Sequence, residues 1–150
     1  GNFKDVGKLH GAYFSTKRSG RGLVVWDFDN DGDMDVSVSH VDMDASTVLL
    51  RNDGGNLNNW LGLTLKGEQG LASGLGAKIT VRTGAKTQVL VNQWTTGYLS
   101  NKEPRVHVGL GDQTMVDELT IQWPDGREEV FKQIQGNQYL DFKKGKGYKQ

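Results

Sequence analysis

The chain of 150 residues has no cysteine, only two prolines and no long apolar run. Without cysteine it cannot form a disulfide, so stability has to come from packing, hydrogen bonding or a bound metal ion. No segment approaches the roughly 20 consecutive apolar residues that a membrane-spanning helix needs. We therefore expect neither a disulfide framework nor a membrane span.

Net charge is also lacking, because 18 lysines and arginines balance 18 aspartates and glutamates. A neutral chain has no electrostatic reason to bind nucleic acid or an anionic membrane, and we expect neither partner. Glycine, in contrast, is abundant, with 21 residues. Glycine suits tight turns because it has no Cβ, so the composition favours many short strands over a helical bundle.

From Trp60 onward, apolar and polar residues alternate along the chain. Alternation with a period of two is typical of half-buried strands. It is clearest in three sets, which are Leu61, Leu63 and Leu65; Ile79 and Val81; and Leu119, Ile121 and Trp123. We predict an all-β protein with an antiparallel β-sandwich or barrel-like domain in this part of the chain.

Five aspartates occupy alternate positions around a central glycine. They are Asp27, Asp29, Asp31, Asp33 and Asp35. Ca²⁺ prefers about six to eight oxygen ligands at about 2.3–2.6 Å, which a short segment supplies by curling around the ion. Gly32 permits the sharp turn that this requires. We predict a Ca²⁺ site in which Asp33 offers its backbone carbonyl and the other four aspartates offer side chains.

This loop differs from an EF-hand, which ends in a glutamate at position twelve and lies between two helices. Here position twelve is Val38, and both flanks, residues 23–26 and 36–39, have the composition of strands. The alternative interpretation is a solvated acidic turn, but repulsion among five aspartates disfavours folding without a cation. Mg²⁺ is the weaker candidate because it demands stricter octahedral geometry.

The acidic loop, with residues 21–22 before it and residues 47–55 after it, resembles the FG-GAP/VCBS repeat of integrin-like β-propellers. The resemblance implies an N-terminal propeller-type repeat that carries a calcium loop. Residues 1–3 are echoed by residues 55–57, which indicates one repeat unit over residues 1–54. A lone unit cannot bury both faces of its sheet. It would pack on the second segment, on another copy of the chain or on upstream propeller repeats.

The rest of the chain resembles the ASPIC/UnbV domain, from residues 59–62 to about residue 142. The matching motifs are GLGAKITV at 74–81, GYLS at 97–100, RVHVGLG at 105–111 and WPDGR at 123–127. The resemblance implies a β-domain that commonly follows propeller repeats in secreted proteins. We predict a calcium-binding repeat over residues 1–54, an ASPIC/UnbV-like domain over 55–142, and a loose basic tail over 143–150.

Residues suited to catalysis are few. Ser73 lacks the spacing of a nucleophile elbow, and no zinc-protease or phosphate-loop motif occurs. Glu128 and Glu129 are adjacent, so in a strand they point to opposite faces and make a poor acid–base pair. His107 lies between two valines, where we expect a structural role. We predict no enzymatic activity.

Two other groups of residues are candidates for binding. His40, Asp42 and Asp44 form either an ordinary acidic loop or a second metal site. Trp94 and Tyr98 lie in a stretch with little apolar periodicity, so we predict that they form an exposed aromatic platform for a ligand.

These features together predict a calcium-binding, exported, non-catalytic recognition or adhesion module of bacterial type. We expect it to be secreted, periplasmic or on the cell surface, because extracellular modules bind calcium weakly and free calcium in the cytosol is low. Its partner would be an extracellular protein or glycan. The alternatives are a carbohydrate-binding module of a polysaccharide-degrading system and a structural cap that closes a β-propeller.

Overall fold

The computed structural model describes residues 1–42, 47–69 and 74–150, with the side chains of Asn56 and Thr96 left out. Strands account for 52% of the chain, and the helices are short 3-10 turns, so the protein is all-β as predicted. The helical turns are η1 (Gly7–Leu9), η2 (Ala12–Ser15) and η3 (Gly55–Leu57). Within the described residues, no helix is long and apolar enough to cross a membrane.

The strands follow one another closely along the chain. They are β1 (Gly20–Trp26), β2 (Asp35–His40), β3 (Val48–Leu50), β4 (Asn59–Lys66), β5 (Lys78–Thr83), β6 (Lys86–Val91), β7 (Thr95–Gly97), β8 (Ser100–Asn101), β9 (Arg105–Gly111), β10 (Met115–Gln122), β11 (Glu128–Gln135), β12 (Gln138–Lys143) and β13 (Gly147–Lys149).

The strands of the described residues form four sheets. The small sheet has the order β1-β2-β3, and β7 and β8 form a separate hairpin. The two large sheets have the orders β11-β10-β5-β6 and β13-β12-β4-β9. Most strand pairs are antiparallel, but β4 runs parallel to β12. No sheet of the described residues closes on itself, so the barrel-like alternative is wrong.

One buried cluster fills the space between the two large sheets. Alternation explains it, because Leu61, Leu63 and Leu65 on β4 are buried, as are Ile79 and Val81 on β5. Strand β10 contributes Leu119 and Ile121, and Trp123 follows it. The residues that we predicted to face the core from their period of two therefore do so.

The opposite face of β4 carries Trp60, Gly62 and Thr64. Gly62 is paired with Tyr139 of β12 on one side and with His107 of β9 on the other. The Tyr139 ring lies directly over Gly62, where a Cβ would be 2.1 Å from ring carbon Cδ1. Glycine is required at this position because any side chain would displace the ring.

The C-terminal residues are ordered, which corrects the prediction of a loose basic tail over 143–150. Lys143 ends β12, and Gly147–Lys149 return as β13 alongside it. The Tyr148 ring lies 5.0 Å from the Phe142 ring. The Lys144 ammonium forms an ion pair with Asp125 at 2.5 Å. The basic residues are therefore part of a hairpin that is held by ladder hydrogen bonds and ring contacts.

Candidate functional site

The acidic loop between β1 and β2 is folded around its own first carboxylate. The amides of Asp31 and Gly32 donate to Asp27, at 3.2 Å to Oδ1 and 2.9 Å to Oδ2. Gly32 has a φ of +96°, in the region that glycine adopts without strain. These two hydrogen bonds to the Asp27 carboxylate stabilise the tight turn that the sequence pattern predicted.

Asp35, at the start of β2, fixes the other end of the loop. Its Oδ2 accepts from the Phe28 amide at 2.8 Å, and its Oδ1 accepts from the Asn52 amide at 2.8 Å. Asp27 and Asp35 are 1% and 0% exposed, so both carboxylates are withdrawn from water. Burying two charged groups is costly unless hydrogen bonds and a counter-charge compensate.

Three of the five predicted ligands converge. One carboxylate oxygen from each of Asp27, Asp29 and Asp35 lies within 4.8 Å of the other two. Like charges this close repel, whereas a hard divalent cation between them would be coordinated by the oxygens it prefers. Arg51 partly balances the exposed side, with its Nη1 3.8 Å from Asp29 Oδ2. This donor set fits Ca²⁺.

The side chains of the other two aspartates have other contacts. Asp31 Oδ1 accepts from the Asp33 amide at 3.0 Å. Asp33 turns its buried carboxylate toward η3, and its Oδ2 accepts from the Gly55 amide at 3.1 Å. Burial raises the pKa of Asp33, while the bond from Gly55 acts in the opposite direction. Its Oδ1 is buried without a hydrogen-bond partner among the described residues. The role of the Asp33 backbone carbonyl as a ligand stays a prediction.

The loop is packed against the outer face of β4. At Gly32, a Cβ would lie 1.9 Å from Nε1 of Trp60, so the indole occupies the space beside the backbone. The Trp60 ring in turn is 4.7 Å from the Tyr139 ring and stacks on His107 at 5.8 Å. Gly32 therefore serves both the turn and the contact between the small sheet and the large sheets.

Two residues from distant strands bind the loop directly. The Tyr139 hydroxyl donates to Asp27 Oδ2, and Arg105 Nη2 donates to the Asp27 carbonyl oxygen at 3.1 Å. Arg105 also donates from Nη1 to Asn30 Oδ1 at 2.5 Å, and its guanidinium lies 4.2 Å above the Tyr139 ring. Burial raises the pKa of the Tyr139 phenol, and its bond to Asp27 raises it further.

Sequence reasoning did not find Tyr139 or Arg105. Tyr139 is 112 residues from Asp27 in the chain, and Arg105 is 78 residues away. No local spacing links groups so far apart. Arg105 was part of a recognised motif but carried no predicted role.

A cleft of about 640 Å³ adjoins the loop. It is lined by β1, β6 and the start of β9, together with Met34 from the loop and Tyr98 from the β7–β8 hairpin. His107 also lines it, with Nδ1 buried and without a hydrogen-bond partner among the described residues. Burial lowers the pKa of His107. The loop and the cleft are thus adjacent, with Arg105 contributing to both.

The predicted aromatic platform is divided between two environments. Tyr98 is 72% exposed and borders the cleft. Trp94, just before β7, is half-buried, and its indole N–H is buried with no acceptor in the described part of the chain. The binding role proposed for this pair stays a prediction.

The second candidate metal group has protein partners. The Tyr13 hydroxyl lies 3.0 Å from His40 Nε2, and the Ser19 amide donates to Asp42 Oδ2 at 2.8 Å. The bond from Ser19 lowers the pKa of Asp42. Asp44 lies outside the described residues, as does Ser73.

Comparison with known proteins identifies the second part of the chain. The family described as ASPIC and UnbV matches residues 67–149, and no FG-GAP/VCBS repeat is matched. Cartilage acidic protein 1 of Mus musculus and of Homo sapiens are each 38% identical over 113 residues. The protein of the same name from Xenopus tropicalis is 35% identical over 112 residues.

Each alignment covers 72% of this chain, but only 16–17% of the relative. The chain therefore spans about a sixth of the length of these curated relatives. The family match covers more than half of the 150 residues. The chain belongs to the ASPIC and UnbV family.

Proposed function

We propose that the protein is a calcium-binding, non-catalytic recognition or adhesion module that acts outside the cytosol. In it, a Ca²⁺ ion held by the acidic loop fastens the small sheet to the large sheets. Asp27, Asp29 and Asp35 would hold the ion, which supplies positive charge among converging carboxylates. The expected partner is an extracellular protein or a glycan.

The observation that carries this proposal is that Asp27 belongs both to the candidate metal site and to the contact with the large sheets. Its carboxylate belongs to the converging group, and the same residue accepts hydrogen bonds from Tyr139 and Arg105 of the large sheets. Groups outside the ligand set that orient a ligand raise metal affinity. A cation bound at Asp27 would therefore strengthen the contact between the two regions. That contact would in turn hold Asp27 in position to bind the cation.

We further propose that residues 1–54 are an FG-GAP/VCBS-type repeat. Its support is the acidic loop between two paired strands, β1 and β2, in a three-stranded sheet. The proposed β-domain begins near residue 55. The family match extends beyond the predicted end at 142, to residue 149, so we place the domain's end at β13.

Calcium titration calorimetry tests the metal site. We expect one Ca²⁺ per chain, with a dissociation constant in the range of about 10⁻⁴–10⁻³ M that is common for extracellular modules. Asp29→Ala should weaken binding at least tenfold, because it removes one of three converging carboxylates. Asp53→Ala is the matched control, since Asp53 contacts the same arginine, at 2.7 Å, but lies outside the converging group. No heat of binding in the wild type would contradict the proposal.

A structural cap of a β-propeller is the second candidate. Its support is the apolar surface that the N-terminal region leaves exposed, including Phe3, Leu9, Phe14 and Leu49. Neighbouring propeller repeats would cover such surface. A longer natural chain with further acidic loops upstream would favour the cap.

A further inference from the structure

Exposed aliphatic side chains line the cleft from two strands. Leu23 and Val25 belong to β1, and Val89 and Val91 belong to β6. All four are exposed, as is Tyr98 beside them. Apolar surface that is gathered in a concave site marks binding sites, whereas single exposed apolar residues do not.

Strand β6 is an edge strand that lacks the usual protection. In the described part of the chain its one strand partner is β5. Edge strands are normally protected by charged residues, prolines or bulges, but β6 has no charged residue after Lys86. The opposite edge of the same sheet, β11, has Glu128, Lys132 and an irregular Gln133 with a φ of +54°. An added strand would therefore find β6 the better template.

The cleft also contains two cationic side chains that stand outside the close ion pairs of the structure. Arg21 and Lys102 both line it, and neither forms an ion pair within the described residues. The nearby Glu103 is engaged by Arg105, with 2.6 Å between Oε2 and Nε. Burial lowers the pKa of Lys102, while Glu103 acts in the opposite direction. An incoming anion beside Lys102 would further favour the charged ammonium. Charge complementarity favours an acidic partner.

The geometry points to the cleft as a binding site for an extended acidic segment of another protein, added as a strand along β6. This inference rests on the proposed recognition function and names its ligand class. The peptide backbone would pair with the free edge of β6, its alternate apolar side chains would contact Val89 and Val91, and a carboxylate would meet Lys102. A glycan matches less well, because the lining is mainly aliphatic and sugars stack on flat rings.

An array of eight-residue peptides tests this assignment. Valine, leucine or tyrosine should alternate with glutamate, glutamine or threonine, and binding of the whole chain is measured with calcium present. We expect the glutamate-containing peptides to bind best. The strongest of them, labelled with fluorescein, should bind in solution at least tenfold more tightly than its glutamine counterpart, measured by fluorescence anisotropy.

Two matched variants locate the site. Val89→Glu should lower the affinity for the labelled peptide at least tenfold, because it puts a like charge on the proposed edge. Val130→Glu is the control, since Val130 is 49% exposed against 58% for Val89 but lies on β11, the opposite edge. Lys102→Gln should remove most of the preference for glutamate over glutamine.

The inference is overturned if no peptide of the array binds, or if Val89→Glu and Val130→Glu weaken binding equally. It is also overturned if an acidic oligosaccharide, an oligogalacturonate, binds the cleft while the peptides do not. Val89→Glu should keep the calcium affinity of the wild type. In the wild type, calcium binding without peptide binding would contradict the assignment of the cleft alone. Absence of calcium binding would contradict the proposed metal site.

Discussion

The small sheet and the two large sheets are stabilised by opposite kinds of residue. The large sheets enclose leucine, isoleucine, valine and aromatic side chains in one cluster. In the small sheet, Val38 is the one buried apolar residue among those described, whereas three aspartates are buried in the loop and at the start of β2, namely Asp27, Asp33 and Asp35. The large sheets thus have a hydrophobic core, whereas most of the buried side chains of the small sheet and its loop are carboxylates.

This difference predicts different sources of stability. Burial of apolar surface stabilises the large sheets in any buffer, at about 25 cal/mol for each Å² removed from water. Buried carboxylates become favourable only when hydrogen bonds and a counter-charge compensate their lost hydration. The small sheet should therefore depend on a cation, and the large sheets should not.

The largest expected effect is the loss of a core side chain. Trp123→Ala should lower the free energy of unfolding by about 3–5 kcal/mol, because the ring is buried and leaves a cavity. Urea denaturation should show the same loss with calcium and with EDTA. Trp94→Ala should cost clearly less, since that ring is half-buried. Equal losses would make Trp94 a core residue and remove the basis for a ligand platform there.

Calcium removal should have the next largest effect. Binding that is confined to the folded state stabilises it by about 2.7 kcal/mol at a free concentration of 100 times the dissociation constant. The melting temperature should therefore rise between EDTA and calcium at that concentration, which is about 10–100 mM for the dissociation constant expected above. Asp29→Ala should reduce the rise, because it removes one of the three converging carboxylates. Asp112→Ala, on the turn after β9, should leave the rise intact. An unchanged midpoint in the wild type argues against a calcium site.

Gly32→Ala probes the contact between the regions. The substitution places a Cβ at a φ of +96° and against the Trp60 indole, so we expect a loss of roughly 1–3 kcal/mol. Gly76→Ala separates the two causes, because Gly76 also has a positive φ, +81°, but has nothing within 4 Å of its Cβ position. Equal losses in the two variants would show that the Trp60 contact contributes little.

The smallest effect concerns pH. Burial lowers the pKa of His107, and Arg105 lowers it further, while Asp27 acts in the opposite direction. The unfolded imidazole therefore takes up a proton at a higher pH than the folded one. Stability should fall as pH drops below about 6.5, by at most about 1.4 kcal/mol per pH unit.

Unfolding in urea at pH 7.5 and 5.5, in saturating calcium, measures this change. His107→Gln should reduce the pH dependence, whereas His10→Gln, at an exposed residue, should not. If the two variants behave alike, the buried imidazole is not the group responsible.

Whether a feature of the fold can be predicted from the sequence depends on how far apart its residues lie in the chain. The core positions on β4, β5 and β10 were predictable because a period of two is a local signal. The parallel pairing of β4 with β12 was not, because Leu63 and Leu140 meet across most of the domain. The β12–β13 hairpin was missed although Gly145 and Gly147, both with positive φ, mark its turn.

The same distinction applies to the site. The run of aspartates predicted the loop, and the structure brings Asp27, Asp29 and Asp35 together. The contacts of Tyr139 and Arg105 with Asp27 depend on the packing of β12 and β9 beside β4, which no local pattern contains. The cleft was likewise beyond prediction, since β1 and β6 line it from separate sheets.

Amide hydrogen exchange, measured with calcium and with EDTA, tests most directly whether a cation fastens the small sheet. Strands β5 and β10 serve as an internal reference because they lie in the middle of their sheet. We predict that the amides of β1, β2 and the loop, including Gly32, exchange at least tenfold faster in EDTA, while those of β5 and β10 change little. Equal exchange of β1 and β2 in the two buffers would contradict the account.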